Sequence, residues 1–369
     1  MSLDPGAAGT LGTVRVVGTG LLGASIGLGL RACGVTVLLT DASPSALALA
    51  SDLGAGEPDP GGTRVDLVVV ATPPDVTARV VAAELAAHPT AAVTDVASVK
   101  AGVLDALTAA GADLPRYVGG HPMAGRERSG AVAARGDLFI GRPWVLSPAA
   151  ATTPGAVDAA RRLALALGAA PVVMPAAEHD EAVALVSHVP QLAASLVAAR
   201  LRQAPESAVA LAGQGLRDVT RIAGSDPALW AQILAANAGP VAAVLHELRA
   251  DLDALLAALE ALAQGPPATG ARAVVARAVA DGNLGRERIP GKHGGVPTRY
   301  AVVTVVVPDE PGSLGRVFAD IATAGVNVEE LALEHAPGRA VGLLEVSVRP
   351  SARGHLEASL TSSGWHVVA

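Results

Sequence analysis

Apolar and polar positions along roughly the first 175 residues switch repeatedly between continuous short runs and a three-to-four spacing. Val14 to Val17 is β-like and leads into the helical pattern Leu21 to Arg31; Val35 to Thr40 is a second strand. The run Asp66 to Ala71 has no polar interruption, as in a strand covered on both faces, and Thr72-Pro73-Pro74 turns it into a helix with proline near its first position. Ala91 to Val96 predicts the next strand and Val99 to Ala110 the next helix. Val118, Trp144 to Leu146 and Val172 to Met174 supply shorter strands. This alternation predicts a Rossmann-like α/β domain over residues 12–175, with a parallel sheet and right-handed crossovers.

From residue 176 to 265 the period is helical throughout, as in Leu185-Val189-Leu192-Leu196 and in the series from Leu229 to Leu259. These helices are apolar around much of their circumference, which predicts an all-α substrate and dimerisation domain buried against a second copy in a homodimer. Residues 266–298, rich in Gly, Pro and Arg, read as a linker. Residues 299–369 then give strand, helix, strand, strand, helix, strand. The order βαββαβ predicts a small ferredoxin-like domain.

Composition narrows the function. A net charge of −7 argues against a nucleic-acid surface or an anionic membrane as partner. Met1 to Gly12 has no basic residue and no apolar core, so it does not read as a signal peptide. The apolar stretch Ala182 to Ala199 is interrupted by Ser187, His188, Pro190 and Gln191, so no membrane span is expected. The single Cys33 excludes an internal disulfide and fits a reducing cytoplasm. Of 27 basic residues only Lys100 and Lys292 are lysine, which marks both as places where arginine does not serve.

The chemistry concentrates at the predicted strand ends. Gly18-Thr19-Gly20-Leu21-Leu22-Gly23 follows a strand and opens a helix: Gly18 for the tight turn, Gly20 for close approach to a pyrophosphate, Gly23 for helix packing, with the amides of Leu21 and Leu22 at the helix N-terminus. Asp41, 23 residues after Gly18, has the spacing of the acid that binds the ribose hydroxyls of NAD and repels NADP. Thr72 ends the third strand at the same edge. His121, between Gly119-Gly120 and Pro122, is placed as a base for a substrate hydroxyl, or else it bonds its own loop. Ser98 either orients that hydroxyl or caps a helix, and Lys100 reads more readily as a solvated first-turn residue than as an anion contact. Ser187-His188-Val189-Pro190-Gln191 places polar groups and a proline inside an apolar helix, which is costly unless a site uses them. Arg221 can clamp a carboxylate or pair with Asp218. The nine histidines show no ligand-spaced cluster, so no metal is expected.

Taken with Asp95-Val96-Ala97-Ser98-Val99-Lys100 and Asp218-Val219-Thr220-Arg221-Ile222-Ala223-Gly224-Ser225-Asp226-Pro227, these motifs resemble the prephenate and arogenate dehydrogenases of tyrosine biosynthesis. Asp309-Glu310-Pro311-Gly312-Ser313-Leu314 and Ala324-Gly325-Val326-Asn327-Val328 resemble an ACT domain, an amino-acid-sensing module. The resemblance implies NAD as cofactor and an oxidative decarboxylation that aromatises a cyclohexadienol ring. In it His121 takes the ring hydroxyl's proton, Ser98 fixes that geometry, Arg221 holds a carboxylate and His188 lines the pocket. It also implies tyrosine as an effector at Asp309, Pro311, Gly312, Leu314 and Asn327. Arg126 and Gln191 depart from many members and lie near the expected substrate, which leaves prephenate and arogenate both open. A β-hydroxyacid dehydrogenase or imine reductase would place a lysine or aspartate on the long helix and lack the glycine–histidine loop. A non-enzymatic amino-acid sensor would have no need of Ser98, His121 and Arg221 together.

Overall fold

In the computed structural model, residues 6, 11–125, 130–266, 268–290, 300–335 and 340–368 are described, and they fall into two compact units, 1–248 and 249–369. Arg126 lies outside the described residues.

The first unit is built on an eight-stranded sheet ordered β3-β2-β1-β4-β5-β6-β7-β8. Its strands are β1 (Thr13–Val17), β2 (Thr36–Thr40), β3 (Glu57–Pro58), β4 (Leu67–Val70), β5 (Ala92–Asp95), β6 (Tyr117–Pro122), β7 (Pro143–Pro148) and β8 (Ala170–Val173). All four residues of β4 are buried, which is why this strand shows no alternation. The helices between strands start on signals in the sequence: Ser43 accepts from the amide of Ala46 and Thr153 from that of Ala156, each just before a proline at the first helical position.

The expectation of a parallel sheet holds from β3 through β6. It fails at β6 and β7, which pair antiparallel, His121 opposite Val145. Residues 123–142 contain only a short 3-10 turn among those described and no crossover helix, so the chain returns alongside β6 in the opposite sense. The carboxyl ends of β1, β4, β5 and β6 still share one edge, and Gly18, Thr72, Ser98 and His121 lie along it.

Beyond β8 the first unit is helical. Ala176–Val183 runs through a π turn, Ala184–His188, into Val189–Arg200. This stretch is long and apolar enough to cross a membrane by length and composition, yet it carries the buried His179, Asp180, His188 and Gln191. The π turn separates its faces sharply: Leu185 and Val186 are 60% and 64% exposed, whereas His188 is 2% exposed.

The second unit contains a four-stranded antiparallel sheet, β10-β11-β9-β12, from β9 (Ala301–Pro308), β10 (Glu330–His335), β11 (Val341–Val348) and β12 (His366–Val368). Helices Ser313–Thr323 and Arg353–Ser362 complete βαββαβ, and Val305, Val317, Ile321, Val346, Leu356 and Leu360 form the core. Val326 and Val328 pack on that core before the strand begins, and Asn327 precedes β10 by three residues. Its amide donates to Glu329 Oε1 at 2.9 Å. The segment read as a linker is also corrected in part: Ala271–Arg286 is a helix, because alanine, arginine and valine outweigh the two glycines inside it.

Candidate active site

The glycine loop is shaped by contact. Gly18 has φ +96°, and a Cβ there would lie 2.5 Å from the Ala71 carbonyl oxygen; at Gly23 a Cβ would meet the Gly18 carbonyl at 1.9 Å. At Gly20 a Cβ would meet nothing within 4 Å, so that side is open to a ligand. Asp41 directly follows β2 and accepts from the amide and hydroxyl of Thr19 on one oxygen and from the amide of Ser43 on the other. Thr72 Oγ1 lies 3.2 Å from Thr77 Oγ1 at the neighbouring strand end. These residues fit a dinucleotide: backbone room at Gly20, the helix N-terminus at Leu21 and Leu22, and an acceptor for ribose hydroxyls.

His121 stands at the same edge, held by residues that the sequence did not single out. Its Nδ1 lies 2.8 Å from Nε2 of His179, and His179 Nδ1 lies 2.8 Å from Asp180 Oδ1. Asp180 is fixed in turn by the amides of Lys100 and Ala101, each at 2.8 Å. Burial works to raise the Asp180 pKa, but the bonds from His179, Ala101 and Lys100 outweigh it and keep the carboxyl below its ordinary value. An ionised carboxylate only accepts, so His179 carries a proton on Nδ1, toward Asp180. With a lone pair at His179 Nε2, His121 donates from Nδ1 and its own Nε2 is left as the acceptor. Burial is the main cause that holds the His121 pKa well below the usual histidine value, and the nearby Lys100 ammonium acts in the same direction, so the base is ready at neutral pH.

Lys100 is fully buried, against the expectation of a solvated residue. Its Nζ pairs with the buried Asp95 and donates to the Gly120 carbonyl at 2.7 Å, directly before His121. Tyr117 donates to the other oxygen of Asp95 at 2.7 Å. Burial lowers the Lys100 pKa, and Asp95 counters it in part. A Cβ at Gly120 would sit 2.4 Å from the Asp95 carbonyl, so the loop closes over this pair only with glycine. Thus residue 100 holds Asp180 through its main chain and the His121 loop through its side chain.

The remaining candidates lie around this center. Ser98 is partly buried, and its hydroxyl has no protein partner among the described residues; it does not cap the helix, which starts at Ala101 without a side-chain cap. His188 is buried against the edge of Trp230, ring centroids 6.0 Å apart. Gln191 is also buried and accepts from Ser225 Oγ at 3.3 Å, which ties the end of the Arg221 turn to helix Val189–Arg200. Arg221 is exposed and forms no ion pair among the described residues, because Asp218 instead accepts from Gln214. No group of three or more potential metal ligands occurs among the described residues.

A dinucleotide cradle with a fixed neutral base at the same sheet edge defines an NAD-dependent dehydrogenase. Residues 26–173 match the nucleotide-binding domain of prephenate dehydrogenase and residues 175–265 its dimerization domain. The chain is 41% identical over 365 residues to a probable prephenate dehydrogenase, NovF, of Streptomyces niveus, covering 96% of this chain and 98% of that protein. It is 29% identical to prephenate dehydrogenase of Bacillus subtilis, with 91% of each chain covered. Among solved structures it resembles prephenate dehydrogenase from Aquifex aeolicus in complex with hydroxyphenyl propionate and NAD+ (TM-score 0.65, 26% identity, 76% of this chain and 99% of that one). It also resembles arogenate dehydrogenase from Synechocystis (TM-score 0.61, 27% identity, 75% and 99%). The chain belongs to the prephenate dehydrogenase family.

Proposed function

We propose that this protein is a prephenate dehydrogenase that converts prephenate to 4-hydroxyphenylpyruvate with NAD, acting as a homodimer in the cytoplasm. The observation that supports the reading is the line Asp180–His179–His121, which holds His121 at the sheet edge that also carries the nucleotide loop. NAD, seated on Gly18, Gly20, Leu21, Leu22, Gly23 and Asp41 with Thr72 alongside, supplies the hydride acceptor. His121 takes the ring hydroxyl's proton as carbonyl character develops there and returns it to the phenol. Ser98 orients that hydroxyl, and Arg221 holds a substrate carboxylate, with His188 and Gln191 lining the pocket. Loss of carbon dioxide and gain of aromaticity drive the reaction, so the protein's task is positioning and one base.

Arogenate is the second substrate to test, because Gln191 is uncharged and does not choose between a keto and an amino side chain. NADH formation followed with prephenate and then arogenate decides between them, and no turnover with either overturns the reading. The exposed Leu185, Val186 and Leu196 are apolar surface within the part that matches a dimerization domain, which supports the homodimer. We read the βαββαβ module as an ACT domain that binds tyrosine around Asp309, Pro311, Gly312, Leu314 and Asn327 and inhibits the enzyme.

A further inference from the structure

Asn237 is 2% exposed, and its side-chain nitrogen lies 2.8 Å from the main-chain carbonyl of Asp180 and 3.0 Å from Nδ1 of His188. A carbonyl only accepts, so the atom facing Asp180 is the amide NH2, which settles the orientation of Asn237. The second hydrogen of that NH2 points at His188 Nδ1, which must offer a lone pair. The proton of His188 is therefore on Nε2, and an imidazolium would set N–H against N–H. Burial of the ring opposes its charged form; of the titratable groups around it, Asp180 favours that form and His179 does not. Asn237 thus does for His188 the reverse of what Asp180 and His179 do for His121.

We propose that Asn237 is a positioning residue that locks His188 as the neutral Nε2–H tautomer, making it a fixed hydrogen-bond donor for an anionic or carbonyl oxygen of the substrate. The two histidines then have opposite polarity: His121 accepts and His188 donates. The donor role rests on the dehydrogenase reading of this site; the tautomer does not.

The test is nitrogen-15 NMR of the histidine rings in the full-length protein, with the His188 signals assigned by their loss in His188→Gln. The wild type should show His188 neutral with its proton on Nε2 and no titration near the ordinary histidine value of about 6.5. Asn237→Asp replaces the donor by an acceptor and should protonate Nδ1, raising the His188 pKa by about one unit or more. In the same variant the substrate KM should acquire a pH dependence that the KM for NAD lacks. A wild-type His188 protonated on Nδ1, or titrating normally, overturns the proposal whether or not the variant folds. An unchanged His188 spectrum in folded Asn237→Asp also overturns it. If neither prephenate nor arogenate is turned over, the functional reading fails, and the ring spectra still decide the tautomer.

Discussion

One oxygen of Asp41 accepts both hydrogens that Thr19 offers, from its amide at 2.6 Å and its hydroxyl at 2.8 Å. The carboxylate is thereby oriented at the end of β2, where it can accept from ribose hydroxyls and repel a 2′-phosphate. NAD should be preferred over NADP in kcat/KM, and Asp41→Ser should relax the preference. Equal or better turnover of NADP by the wild type would contradict this. Thr19→Val should weaken NAD binding less than Asp41→Ser does, since the Thr19 amide remains.

His121→Asn should lower kcat by roughly 10²–10⁴-fold with little change in either KM, as expected for a base that acts in the transition state. Near-normal kcat would make His121 structural. Arg221→Ala should instead raise the prephenate KM, because a carboxylate clamp binds ground state and transition state alike.

The pH profile follows from the depressed His121 pKa. The active form is neutral, so kcat/KM should stay level as pH falls through about 6.5 and drop only below it. Removing the cation in Lys100→Met raises the His121 pKa and moves the acid limb upward. An acid limb that stays put in the variant would show that the charge of Lys100 does not reach the base.

Lys100→Met also strands Asp95 as an uncompensated buried charge, at a cost of about 3–5 kcal/mol. Adding Asp95→Asn should recover much of that loss, since an ion pair replaced on both sides is often nearly neutral. Thermal or urea unfolding of both variants measures the difference. A double variant no more stable than the single one would refute the pairing argument.

Tyrosine should inhibit the full-length enzyme through the second unit. Gly312 has φ +89° just before helix Ser313–Thr323, so Gly312→Val strains the turn proposed to receive the amino acid. The variant should lose inhibition by tyrosine and keep its kcat. Undiminished inhibition in the variant would point to competition at the active site.

The cofactor half of the site was legible because its residues are local: Gly18, Gly20 and Gly23 fall within one turn, and Asp41 ends the next strand. His121 was legible because glycines flank it. His179 and Asp180 were not, since Glu178-His179-Asp180-Glu181 reads as a solvated acidic helix start, and only the fold brings it to a loop 58 residues earlier. The one available hint was that an Asn237 inside the apolar run Leu234 to Val241 must find a partner. Lys100 was misjudged for a related reason: its partners Asp95 and Gly120 lie on two different strands. The antiparallel β7 was hidden because a short strand carries no mark of its direction.

Lys100 grips the approach to His121 with its ammonium and the far anchor, Asp180, with its amide. The proton acceptor and its counter-carboxylate are therefore not two parts aligned independently; they ride on one residue and move as a single body. In a chain where 25 of the 27 basic residues are arginine, the cation buried between Asp95 and Gly120 is one of the two lysines.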